Sequence, residues 1–138
     1  MTEITLRGRK IPLLYTVYEM KAVQEEVCPL GELQYVLFGR NRDDEKDTSM
    51  YGAPEHIGTV AKMVRILGNA GLEEAGEKPD LTDKWVMRSL KPTQLAETVN
   101  MCIMAMNEGM ASEIPEKEET GPVDVTLEEM NKKKERDS

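Results

Sequence analysis

Aromatic residues make up only 4% of this 138-residue chain, with one Trp and one Phe, so any core it builds is aliphatic and methionine-rich. Cysteine is equally scarce. Cys28 and Cys102 lie far apart in the sequence, which gives neither a disulfide framework nor a zinc site, and both read as reduced and buried. No apolar run approaches the roughly 20 residues that a membrane span needs. No charged-then-apolar leader is visible, so the expected compartment is the cytoplasm. A basic excess is missing too. Lys and Arg number 18 against 26 Asp and Glu, for a net charge of −8. That balance argues against a general nucleic-acid binder, because phosphate contacts need a basic face, although it leaves room for a local basic patch.

The signatures of catalysis are absent as well. There is no glycine-rich phosphate loop, nucleophile elbow, dinucleotide fingerprint or pair of histidines at ligand spacing. Carboxylate pairs such as Glu25-Glu26 and Glu73-Glu74 need no catalytic explanation in so acidic a chain. The run Asp43, Asp44, Glu45, Asp47 lacks the alternation, central Gly and final Glu of a calcium loop. His56, the only histidine, falls in the first turn of a predicted helix, off its apolar stripe, and reads as exposed rather than as a base. No metal or cofactor is expected.

What is present is helical periodicity. In residues 91–110, Pro92 stands at a first helical position, and Leu95, Val99, Cys102, Met106 and Met110 recur on one face, widened by Ile103. Gly109 marks a possible stop. Thioethers are flexible and polarisable, so a methionine cluster serves either as gap filler or as an adaptable binding surface. Met101, Met104 and Met110 are the candidate partner-binding residues.

Upstream, residues 2–15 predict a β-hairpin turning at Gly8, with Pro12 confined to an edge. Thr16-x-x-Glu19 is a capping box opening a helix with Val17, Met20, Val23 or Gln24, and Val27 at helical spacing, ended by Cys28-Pro29. A short helix from Leu30 to Phe38 stops at Gly39, and residues 40–52 read as an exposed loop. Pro54 opens the clearest amphipathic helix, with Ile57, Val60, Ala61, Val64 and Leu67 on its stripe and Gly68 or Gly71 closing it. Residues 69–80 then read as a connection with one helical turn near Leu72. Asp80 or Thr82 caps a helix carrying Leu81, Trp85, Val86 or Met87, and Leu90, with Trp85 as a core anchor. Val99, Cys102 and Met106 are expected to pack on Val60, Val64 and Leu67.

From Ala111 the character changes. Residues 111–138 hold nine acidic and five basic residues and no aromatic. Such a segment buries too little to offset chain entropy, so it reads as a disordered tail with a latent helix at Thr126-x-x-Glu129. The expected fold is therefore mainly α: a small helical domain over 1–110 with an N-terminal β-hairpin, and a flexible charged tail over 111–138.

The layout resembles the tail assembly chaperones of long-tailed bacteriophages and prophages. The likeness lies in the order of parts: the strand pair ITLRGRKIPLL, the capped helix TVYEMKAVQEEV, the late helix LKPTQLAETVNMCIMAMNEGM and the charged tail LEEMNKKKERDS. It implies a non-enzymatic helical protein of the host cytoplasm, often oligomeric, that binds the tape measure protein and helps recruit tail tube protein. It also implies, for many members, a longer frameshifted form, for which the run Asn131 to Lys134 is compatible through its adenine-rich codons. Two other classes fit the composition less closely. One is a helix-turn-helix regulator over residues 54–90, with Lys62, Arg65, Lys84 and Arg88 as its thin basic supply; the other is a structural virion subunit.

Overall fold

The computed structural model describes residues 1–41, 43, 44 and 46–111. The tail and its latent helix, expected beyond Ala111, lie outside these residues. The described chain is mainly helical, with two strands, β1 (Glu3–Leu6) and β2 (Arg9–Pro12), and five helices, α1 (Val17–Glu26), α2 (Leu33–Phe38), α3 (Pro54–Glu74), α4 (Asp83–Ser89) and α5 (Leu95–Met110). No described helix is long and apolar enough to cross a membrane.

The strands pair antiparallel, Ile4 opposite Ile11 and Leu6 opposite Arg9. Arg7 and Gly8 connect them with φ of 53° and 77°. Two consecutive positive φ values belong to the tight turn whose twist matches a hairpin. Alternation puts Ile4, Leu6, Ile11 and Leu13 inward.

The capping box of α1 forms in full. Thr16 N–H donates to Glu19 Oε1 at 2.9 Å, and Thr16 Oγ1 accepts from the helix backbone. The inward face differs from the expected one. Glu19 and Val23 are buried, with Ala22 and Val27 against the core, while Val17 is 75% exposed and Met20 also faces out. The box turns Glu19 back toward Thr16, and the positions four apart from it, 23 and 27, then follow it inward. Helix α2, entered through a 3₁₀ turn at Leu30–Glu32, ends at Gly39 with φ 67°. Arg40 N–H reaches back to Tyr35 O at 2.8 Å, closing the left-handed helix end.

Helix α3 is the centre, packed by α1, α2, α4, α5 and β2. Its 21 residues begin with Pro54 at the first position. Neither Gly68 nor Gly71 closes it, and the turn near Leu72 is its own last turn rather than part of a connection. A Cβ on Gly71 would lie 1.8 Å from Pro12 O, and one on Gly68 would lie 2.6 Å from Leu81 Cδ1 and 3.0 Å from Ile11 Cγ2. These glycines are places of contact. The real stop is Gly76, at φ 78°, where Glu77 N–H bonds Leu72 O at 2.8 Å.

Thr82 caps α4 by accepting from Trp85 N–H at 3.1 Å. Val86 takes the buried place, and Trp85 packs half-buried beside it. After Lys91, a 3₁₀ turn at Pro92–Gln94 leads into α5. Val99 and Cys102 share the core with Val60, Val64 and Leu67, as the stripe predicts, and Met106 packs half-buried at its margin. The stripe does not run to its end. Met110 is 65% exposed because α5 outruns the core, while Thr98 and Ala105 are buried instead. Gly109 is also no stop: a Cβ there would sit 2.0 Å from Tyr15 O.

The glycine contacts give a paired test. Gly71→Ala should destabilise the fold by at least about 2 kcal/mol, since a rigid backbone carbonyl must move. Gly58→Ala, where a Cβ meets nothing within 4 Å, should stabilise it by about 0.5–1 kcal/mol through helix propensity. Urea unfolding of the two variants measures both; equal effects would refute the close-contact role of Gly71.

Candidate functional site

Lys91 precedes Pro92, and the ring forces it out of the helical region, to ψ 148°. The break leaves a corner between the end of α4 and the start of α5. The first turn of α3 faces this corner, and between them lies a groove of about 360 Å³. Ile57 comes from α3, Met87 and Leu90 from α4, Pro92 and Leu95 from the entry to α5, and Tyr51 from the preceding loop. Tyr51, Ile57 and Met87 stay 44%, 37% and 43% exposed. Apart from Lys91, every lining side chain is apolar or aromatic.

The loop wall is held by the histidine. His56 is buried, contrary to the expectation of an exposed first-turn residue. Its Nδ1 accepts from Gly52 N–H at 2.9 Å, so the ring hydrogen sits on Nε2, which donates to Leu37 O at 2.9 Å. The Tyr51 ring lies 4.8 Å from the imidazole, tilted by 41°. Beneath it, Gly39 comes so near that a Cβ would fall 2.6 Å from Tyr51 Cα. His56 thus joins the end of α2, the loop and α3. With both nitrogens bonded to backbone, it is a structural residue with no free nitrogen for proton transfer. The α4 wall is set by Asn69, whose side-chain amide bonds both Leu81 O (3.2 Å) and Leu81 N–H (2.9 Å). Arg65 reaches Glu26 and Asp83 together, tying α1 and α4 to α3.

The methionine candidates lie on α5 outside this groove. Met101 is half-buried in a cleft of about 230 Å³ with Ile4, Leu6 and Leu90. Met104 is 52% exposed one turn further on, and Met110 faces solvent about half a turn round the helix from Met101. The groove residues Tyr51, Ile57 and Met87 were not singled out from sequence as a site. Their one signal is the Val86-Met87 doublet: on a helix docked by one face, two adjacent apolar residues cannot both point inward.

Little else in the fold is poised for chemistry. Cys102 is fully buried, and burial pushes its thiol up to about 12, while burial also raises Cys28. A thiol so protonated and enclosed is not a nucleophile. Among the described residues no three His, Cys, Asp or Glu side chains converge as a metal site. A cleft between α1 and α3, of about 230 Å³, is lined largely by charged side chains already bonded to one another, such as Lys21 with Glu25 and Arg65 with Glu26. No family model, curated protein or solved structure matches the chain.

His56→Ala should lower the unfolding free energy by on the order of 3 kcal/mol, because it orphans a carbonyl and an N–H that the ring now serves. Chemical denaturation checks the loss. A change below about 0.5 kcal/mol would mean that the ring does not hold the loop.

Proposed function

We propose that the protein is a non-enzymatic binding module that takes the apolar stripe of a partner helix into the groove between α3, α4 and α5. The observation that carries this is the groove itself: an apolar slot rimmed by partly exposed Tyr51, Ile57 and Met87 on a chain of net charge −8. An amphipathic helix docks by residues spaced three and four apart, and a slot walled by helices suits that spacing. Met87 lends a side chain that repacks around different partners. The host protein's acidity keeps such a complex soluble while apolar stripes are covered.

The resemblance in layout supplies the biological setting. In it, the protein is a tail assembly chaperone of the host cytoplasm, its helical partner is the tape measure protein, and tail tube protein joins the complex later. A long helical partner with unpaired apolar stripes aggregates alone, which is the problem such a module solves. Homo-oligomers are compatible with this role.

Co-expression with the candidate tape measure protein tests it. The partner should become soluble and co-purify with the wild-type protein. Ile57→Glu with Met87→Glu should abolish this without unfolding the domain, since both side chains already reach solvent. Met101→Glu and Met104→Glu should retain it. An equally insoluble partner with and without the protein contradicts the chaperone role. Loss of binding in the Met101 and Met104 variants alone moves the binding face to α5.

A further inference from the structure

Beside the groove lies a second pocket, of about 510 Å³, whose charged lining is entirely basic: Arg7 from the hairpin turn, Arg88 from α4 and Lys91 from the break before α5. No carboxylate lines it. Elsewhere among the described residues, Arg9 pairs with Asp80, Lys21 with Glu25, and Arg65 with both Glu26 and Asp83, while other cations such as Lys10 and Lys84 stand singly without an ion pair; what sets this pocket apart is that three cations share it. Among the described residues, Arg7, Arg88 and Lys91 pair with none. Arg7 is held in place from two sides, donating to Arg88 O at 3.4 Å and lying 5.8 Å over the Trp85 ring. Three unpaired cations gathered on an acidic chain repel one another and favour an incoming anion.

The pocket shares Leu90 and Lys91 with the apolar groove. One ligand therefore meets both at once. The geometry points to an amphipathic partner helix whose apolar stripe is flanked on one side by Asp or Glu. The stripe enters the groove, and the carboxylates reach Arg7, Arg88 and Lys91, the arginines offering paired N–H donors. This rests on the groove reading above and adds the partner's charge pattern. A nucleic acid would use the cations but leave the apolar slot empty, and the remainder of the surface, net acidic, repels phosphate.

Trp85 is the only tryptophan and touches this pocket through Arg7, so its emission reports occupancy. Two synthetic helices with the same leucine stripe, one flanked by Glu and the other by Lys, are titrated into the full chain at low ionic strength. The Glu-flanked helix should bind more tightly by on the order of tenfold, with the gap closing as salt rises. Arg88→Glu with Lys91→Glu, both at exposed positions, should reverse the preference, with circular dichroism confirming that the variant is folded. Equal binding of both helices, unchanged by the double variant, overturns the charge pattern and leaves the groove reading standing. Binding of neither overturns both. A stronger Trp85 response to a mixed-sequence single-stranded DNA would make the pocket a phosphate site, and a response to protein concentration alone would make a second copy the occupant; either result overturns the inference.

Discussion

How closely a backbone can approach α3 decides the rest of the fold. Pro12 O sits where a side chain at position 71 would begin, and Ile11 and Leu81 crowd position 68 in the same way. The hairpin can lie on the helix only because both positions lack a Cβ. A two-stranded ribbon is marginal in water by itself. Here Leu14 N–H also bonds Leu67 O at 3.0 Å, so the strand that follows the turn is fastened to the helix by backbone. With the hairpin fixed, Ile4, Leu6, Ile11 and Leu13 close one side of the core around Val64 and Leu67, and α5 completes it. At the far end of α5, Gly109 makes the same allowance for Tyr15 O.

The groove follows from that arrangement. Because α4 has only seven residues and ends before a proline, it cannot continue as α5, and the chain must turn a corner there. On the outer side of the corner, Met87 has no inward place left once Val86 has taken it, while Leu90 packs partly against the core and partly lines the groove. On the opposite wall, His56 spends its two ring nitrogens on backbone groups from two other segments, which leaves Ile57, its neighbour, at the rim. The apolar exposure at this corner is thus the by-product of how the core is filled.

Signals confined to a few residues were legible in the sequence. Thr16 with Glu19, Pro54, Gly39 and Thr82 each act on backbone groups within one turn, and each does what its spacing predicts. Gly68, Gly71 and Gly109 look like stops by local pattern, but their role is set by Ile11, Pro12, Tyr15 and Leu81, which lie outside their own turns. His56 looked exposed for the same reason: its partner Leu37 O lies 19 positions away. Val17 and Met20 fit an apolar stripe by spacing, but the cap chose which side of α1 turns inward. Of the site, the local basic patch is legible only as compatible with the charge balance, and of the candidate methionines Met101 and Met104 are neighbours on α5 while Met110 lies on the opposite side. Where the rim forms depends on α4 docking on α3, which no local pattern encodes.

The central claim is that partner helices bind at the α3–α4–α5 corner and not along the exposed methionines of α5. Methyl chemical-shift mapping tests it most directly, with Ile and Met methyls labelled and the Glu-flanked amphipathic helix added. The account predicts large shifts at Ile57 and Met87 and none at Met104 and Met110. Shifts centred on Met104, with Ile57 and Met87 unmoved, would contradict it.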